Sequence, residues 1–189
     1  MLSDEEKREL LRIAREAISS KLCNKPASPT SANLKALLEP CGAFVTLRIG
    51  GQLRGCIGYI ESSRLLAQVV AEVAEKAAVE DPRFVPLTVS EFEQTNIEIS
   101  ILSPLRQITS VEEIEVGAHG LLLESGPNRG LLLPQVAVEY QWNTEQFLEA
   151  TAKKAGLNER AWQEADARLF VFTAEIVQEV ETTQGGKKT

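Results

Sequence analysis

Histidine and cysteine are both scarce in this sequence. Its 189 residues hold a single histidine, His119, and a single methionine, Met1. A metal centre with two or more histidine ligands therefore cannot be assembled from one chain, and no metal site is expected. Cysteine occurs at 23, 41 and 56, with no Cys-x-x-Cys pair and an odd total. That spacing offers neither a disulfide framework nor a zinc knuckle, and predicts a reduced, cytoplasmic protein. Long apolar runs are missing as well. None approaches the roughly 18 residues of a membrane span, so no membrane partner is expected. The acidic start, Met1-Leu2-Ser3-Asp4-Glu5-Glu6-Lys7, lacks the apolar core of a signal peptide. Positive charge is also short: 20 Lys and Arg against 27 Asp and Glu leave −7. A nucleic-acid backbone is bound through clustered Lys and Arg, so this balance argues against nucleic acid as a partner. No G-x-G-x-x-G, Walker loop, G-x-S-x-G or H-E-x-x-H occurs, and no cofactor is expected.

What is present is a strong alternation of helical and strand patterns. Ser3 with Glu6 forms a capping-box signature, after which Leu11, Ala14, Ile18 and Leu22 recur at helical spacing. A Pro/Ser-rich loop over 24–31 and a short helix through Leu34, Leu37 and Leu38 follow. Phe44–Ile49 and Leu53–Ile60 flank Gly50-Gly51, a tight-hairpin signal because primed turns need positive φ. A two-residue turn pairs Cys56 with Val45 and Arg54 with Leu47. Leu65–Glu80 carries a full helical stripe, and Asn96–Leu102 alternates as a strand. Beyond Pro104 come an acidic helix over 110–115 and a hairpin of Leu121–Leu123 and Leu131–Leu133 around a loop at 126–130. A helix capped by Asn143 and Gln146 is next, then a short helix carrying Trp162 and a β-rich run over 168–180. Hairpins interrupted by helices predict an α+β fold with antiparallel sheets. The expected division is a larger lobe over about 1–106 plus 167–182 and a smaller inserted lobe over about 107–166. The last strand returns to the larger lobe's sheet, and 183–189 form a disordered tail.

The sharpest local feature is Leu53-Arg54-Gly55-Cys56-Ile57-Gly58-Tyr59. Glycines in a strand interior mark the close approach of another backbone or a ligand. Arg54 and Cys56 share a face in a regular strand, and a guanidinium beside a thiol favours its reactive form. Against this stands the second reading, in which Cys56 is a small buried hydrophobe opposite an apolar strand. Cys23 and Cys41, at a helix end and in a loop, are structural. His119, ahead of Gly120, is either a general base for Cys56 or a turn residue. Asp81-Pro82-Arg83-Phe84 follows a helix and serves as its stop, with Asp81 and Arg83 satisfying backbone groups or one another. Arg129, between Asn128 and Gly130, suits an anion or a solvated turn equally.

Together these segments resemble the AMMECR-type family, whose bacterial and archaeal members are also called AmmeMemoRadiSam system protein A. The likeness runs from Glu5 to Glu181 through Phe44-Val45-Thr46-Leu47, Leu53-Arg54-Gly55-Cys56-Ile57-Gly58 and Asp81-Pro82-Arg83-Phe84. It continues through Ile97-Glu98-Ile99-Ser100, His119-Gly120 and Arg129-Gly130-Leu131-Leu132-Leu133-Pro134-Gln135 with Trp142. The resemblance implies a two-lobed α+β fold in which the smaller lobe has a three-stranded sheet. It implies a small-molecule site in the cleft between lobes, with Arg54, Gly55, Cys56 and Gly58 facing it from one side and His119 and Arg129 from the other. Arg83 and Gln135 join the expected ligand-binding residues, and Cys56 with His119 form the expected catalytic pair. The family's companions imply a Memo-type protein and a radical S-adenosylmethionine protein as partners. Two functions follow: a cysteine-dependent enzyme acting on a small anionic or carbonyl-containing molecule, or a non-catalytic adaptor that presents a substrate to those partners. An RNA or transcriptional role is weaker, given the acidic balance.

Overall fold

A computed structural model describes residues 1–26 and 34–179. Residues 27–31 of the expected 24–31 loop and the expected 183–189 tail lie outside the described residues. The chain divides into two compact units: Met1–Ile101 with the chain from Glu175 on, and Leu102–Ala174.

The first unit begins with helix α1 (Asp4–Leu22). Ser3 Oγ accepts the Glu6 N–H while the Glu6 carboxylate takes the Ser3 N–H, so the capping box forms as expected. Its buried stripe is Leu10, Ile13, Ala14, Ala17 and Ile18. A 3₁₀ turn over Lys35–Leu38 then leads into strands β1 (Ala43–Ile49) and β2 (Gln52–Tyr59). Gly50 and Gly51, at φ 56° and 78°, supply the left-handed corner between them. Helix α2 (Leu66–Val79) buries Leu66, Ala67, Val69, Val70, Val73, Ala74, Ala77 and Ala78. A single turn, α3 (Val89–Phe92), precedes strand β3 (Thr95–Leu102), and strand β8 (Ala174–Gln178) completes the sheet in the order β2-β1-β3-β8. The core joins α1 and α2 to one face of this sheet, at Ala43, Val45, Leu47, Ile97 and Ile99.

The β1–β2 register departs from the expected one. Regular pairing out of the Gly50-Gly51 turn holds only for Ile49 with Gln52 and Arg48 with Leu53; then the register shifts. Arg54 is an extra residue, a β-bulge, and beyond it Gly55 pairs with Leu47, Cys56 with Thr46 and Ile57 with Val45. A slip of one residue sends every later side chain to the other face. Gly55 therefore lies against the helices, and Cys56 lies on the opposite face of the sheet beside Thr46.

The second unit contains β4 (Arg106–Ile108), β5 (Gly120–Ser125), β6 (Asn128–Leu132) and β7 (Arg168–Phe172), ordered β4-β7-β5-β6. Its sheet thus has four strands where three were implied. Helices α4 (Pro134–Glu139) and α5 (Thr144–Lys154) follow the β5–β6 hairpin, and Asn143 with Gln146 makes the expected capping box. Phe147 and Leu148 of α5 pack with Leu121, Ala137, Ile108, Ile114 and Val171. The acidic segment at 110–115 and the Trp162 segment form only 3₁₀ turns, Val111–Glu113 and Ala161–Gln163. The turn between β5 and β6 is Gly126-Pro127 alone, so Asn128, Arg129 and Gly130 belong to the strand and not to a loop.

The expected single strand over 168–180 is two. Arg168–Phe172 pairs with β4 and β5 inside the second unit, and only Ala174–Gln178 reaches the first unit's sheet. Thr173 separates them, its N–H donating to Ser103 Oγ at 2.9 Å and its carbonyl accepting the Ser103 N–H at 2.9 Å. Polar bonding at this one residue ends the first ladder.

Candidate functional site

The bulge in β2 determines what surrounds Cys56. Gly55 sits against α2 so closely that a Cβ there would lie 2.1 Å from the Ala77 carbonyl oxygen. The close approach expected at this glycine is thus made by backbone. Gly58 is crowded by the Phe44 ring, 2.3 Å from a Cβ position, and by the Ala43 carbonyl oxygen. The bulged Arg54 turns toward the segment after α2. Its Nε and Nη2 donate to the Glu91 carboxylate (3.0 and 3.2 Å), and its Nη1 donates to the Val85 carbonyl at 3.0 Å. Its side chain is 13% exposed. Glu91, which also caps Thr88, is held at about 2 by Arg54 first and then by the Thr88 N–H and hydroxyl.

Cys56 is half-buried and faces other partners. Thr46 Oγ1 donates to its Sγ at 3.4 Å, across the β1–β2 pair. β2 is an edge strand, and Cys56 turns its amide outward. That N–H donates to Asp81 Oδ2 at 2.8 Å, and the Cys56 carbonyl accepts from Arg83 Nη2 at 3.3 Å. Asp81 also accepts from the Arg83 N–H (3.1 Å), Nε (2.9 Å) and Nη2 (2.7 Å). Its side chain is 2% exposed, whereas that of Arg83 is 50% exposed. Arg83 first, and then the Cys56 and Arg83 amides, lower the Asp81 carboxyl to about 2 against the opposing effect of burial. The Arg83 guanidinium is raised in turn, by Asp81 first, with the Cys56 thiol among the lesser causes. Arg54 and Arg83 flank Phe84, 5.9 and 5.5 Å from its ring centroid. The guanidinium bonded to Cys56, through its backbone carbonyl, is therefore Arg83, whereas Arg54 is engaged by Glu91 and Val85.

Beside this corner, on the helix-facing side of β2, Tyr59 donates its hydroxyl to Glu72 (2.6 Å) and accepts from Lys76 (2.8 Å). Arg64 also pairs with Glu72. Tyr59, then Lys76 and Arg64, hold the Glu72 carboxyl at about 2. This is a self-satisfied surface network.

In the second unit the candidate residues have local partners. His119 Nδ1 accepts the Glu115 N–H at 3.1 Å, and the His119 N–H donates to the Glu115 carbonyl at 2.8 Å. With Nδ1 accepting, the neutral ring carries its proton on Nε2. Arg129 stands in register with Glu124 and meets it at 2.6 Å, while Arg168 reaches the same carboxylate at 2.9 Å from the other side. Gln135 is half-buried in the first turn of α4. Within the first unit, then, the structure gathers Cys56, Arg83, Gly55 and Arg54. Asp81, Thr46 and Glu91 also contribute to this corner, although none was among the expected site residues. Asp81, two residues ahead of Arg83, and the Thr88–Glu91 capping-box spacing were the available signals. Among the described residues no group of His, Cys, Asp and Glu is arranged to hold a metal ion. No helix of the described residues is long and apolar enough to cross a membrane.

Two antiparallel sheets with helices, and a cysteine on a bulged edge strand tied to a buried aspartate and an arginine, define an α+β protein of two units. The chain belongs to the AMMECR1 family, whose profile matches residues 11–177. A Thermofilum pendens protein is 40% identical, over 98% of this chain and 94% of its own length. Protein MK0488 of Methanopyrus kandleri is 39% identical over 95% and 91% respectively. The crystal structure of uncharacterised protein PH0010 from Pyrococcus horikoshii superposes with a TM-score of 0.89, at 38% identity, covering 94% of this chain and 93% of that one.

Proposed function

We propose that the Cys56–Asp81–Arg83 corner binds a small anionic or carbonyl-containing molecule, and that Cys56 is its reactive thiol. The observation that carries this reading is the half-exposed Arg83 guanidinium, fixed by a buried carboxylate at the backbone of Cys56. A free cysteine packed only as a hydrophobe has no need of such a partner, whereas a cation beside sulfur stabilises an anion formed there. Native-state alkylation with iodoacetamide at pH 7, read by peptide mass spectrometry, tests it. Cys56 should label at least about tenfold faster than the exposed Cys23 of the same molecule. Equal or slower labelling of Cys56 removes the reading.

A second reading treats the protein as an adaptor presenting a substrate to a Memo-type or radical S-adenosylmethionine partner. It is favoured by one observation: Arg54, His119 and Arg129 each engage a neighbour in their own unit. Co-purification with such partners that persists in a Cys56→Ser variant supports it, and its absence from the wild-type protein rejects it.

A further inference from the structure

Among the described residues, Arg83 differs from every other guanidinium in what holds it. Its backbone N–H, Nε and Nη2 all donate to one carboxylate, and that carboxylate is buried. The pair is therefore a post and an arm. Asp81 is the post, anchored from the other side by the Cys56 amide 25 residues earlier in the chain. Arg83 is the arm, its guanidinium 5.5 Å from the Phe84 ring centroid and bonded to the Cys56 carbonyl. Nη1 is the remaining nitrogen, and the side chain as a whole is half-exposed. Such a bidentate pair sets the plane of the guanidinium, so the direction of its outward donors is fixed before any ligand arrives. A lysine or an unbraced arginine would have to give up rotamer freedom on binding.

Resting on the reading of Cys56 as the reactive thiol, we infer that Arg83 selects substrates carrying a carboxylate within one or two bonds of the electrophilic carbon, and that Asp81 is the positioning residue that makes this selection possible. The arm's base lies at the backbone of Cys56, where Arg83 Nη2 donates to the carbonyl oxygen at 3.3 Å. Guanidinium and sulfur are thus anchored on the same residue, and a small carboxylic acid suits that spacing.

Two alkylating probes that differ only in charge test this. With either probe the sulfur forms an S–C bond, iodide leaves and the thiol proton passes to water, so each event is read as one modified cysteine. The measured quantity is the iodoacetate-to-iodoacetamide rate ratio at Cys56 divided by the same ratio at Cys23. We expect it to exceed about fivefold in the wild-type protein at low salt, because a fixed cation within a few ångströms favours the anionic probe. Arg83→Gln should bring it to about one. Asp81→Asn is the discriminating variant. If Asp81 acted merely as a nearby negative charge, its loss would raise the preference for the anion; as a post, its loss lowers it. A wild-type ratio near one, or an Asp81→Asn ratio equal to or above the wild-type value, overturns the inference. Should Asp81→Asn fail to fold by circular dichroism, the wild-type and Arg83→Gln arms still decide whether Arg83 selects. Slow labelling of Cys56 by neutral iodoacetamide instead removes the underlying reading, so the two failures are distinct.

Discussion

In the large unit, Cys56 is bound to side chains 25 and 27 residues away; in the small unit, His119 is bound to Glu115, four residues away. Both are half-buried, and both are rare residue types in this chain. The His119 bonds close a turn that the local backbone can form by itself. The Cys56 bonds exist only once β2, the end of α2 and the following turn have met. A polar group with distant partners has cost chain entropy to assemble, and its arrangement depends on the whole unit. The contrast is between a backbone position held by the whole unit and a side chain satisfied within its own turn.

Three experiments bear on the comparison. The largest effect is expected at the glycines that let each helix rest on its sheet. Gly55→Ala would drive a methyl group toward the Ala77 carbonyl in the large unit. Gly130→Ala would drive one toward the Thr151 carbonyl, 2.5 Å away, and the Ala155 nitrogen in the small unit. Each should cost about 3 kcal/mol or more, as backbone cannot move aside cheaply. Urea unfolding followed by far-UV circular dichroism checks this, and a loss under 1 kcal/mol at either site would mean that the helix can withdraw.

Next comes Asp81→Asn. The carboxyl titrates at about 2 in the folded protein, below its ordinary 3.8. A depressed value contributes stability that is complete above the ordinary range and disappears as pH falls toward the folded value. The variant should therefore be less stable than wild type by about 2 kcal/mol at pH 7, with the gap closing between about pH 4 and pH 2. A gap that stays constant down to pH 2 would show that shape, not charge, accounts for the loss. Smallest is His119→Ala, which removes one acceptor from an exposed N–H and should cost about 0.5–1 kcal/mol. A loss of 3 kcal/mol would break the contrast between local and distant partners.

Much of the fold was legible because its signals are local. The Ser3–Glu6 and Asn143–Gln146 capping boxes, the Gly50-Gly51 turn and the α2 stripe each lie within a few residues, and each forms. The site was less legible for the opposite reason. The bulge at Arg54 leaves no mark on hydrophobic periodicity, yet it moves Cys56 from an apolar pairing with Val45 to the face it shares with Thr46. The sequence neighbours of Asp81 indicated a helix stop and a pairing with Arg83, which forms, but its bond to the Cys56 amide depends on a strand 25 residues earlier. The run over 168–180 looked continuous because both halves are β-rich. Only tertiary bonding at Thr173 divides it between two sheets.

The carboxylate behind Cys56 has a consequence unrelated to chemistry at sulfur. An edge strand exposes backbone donors and acceptors to which any extended segment can add, and growth of that kind leads to fibres. At the middle of β2, both outward groups of Cys56 are already occupied by Asp81 and Arg83, which mimic the missing neighbour strand with side chains. The corner thus doubles as a stopper against self-assembly: a chain that loses Asp81 acquires an open sheet edge along with a loosened arginine.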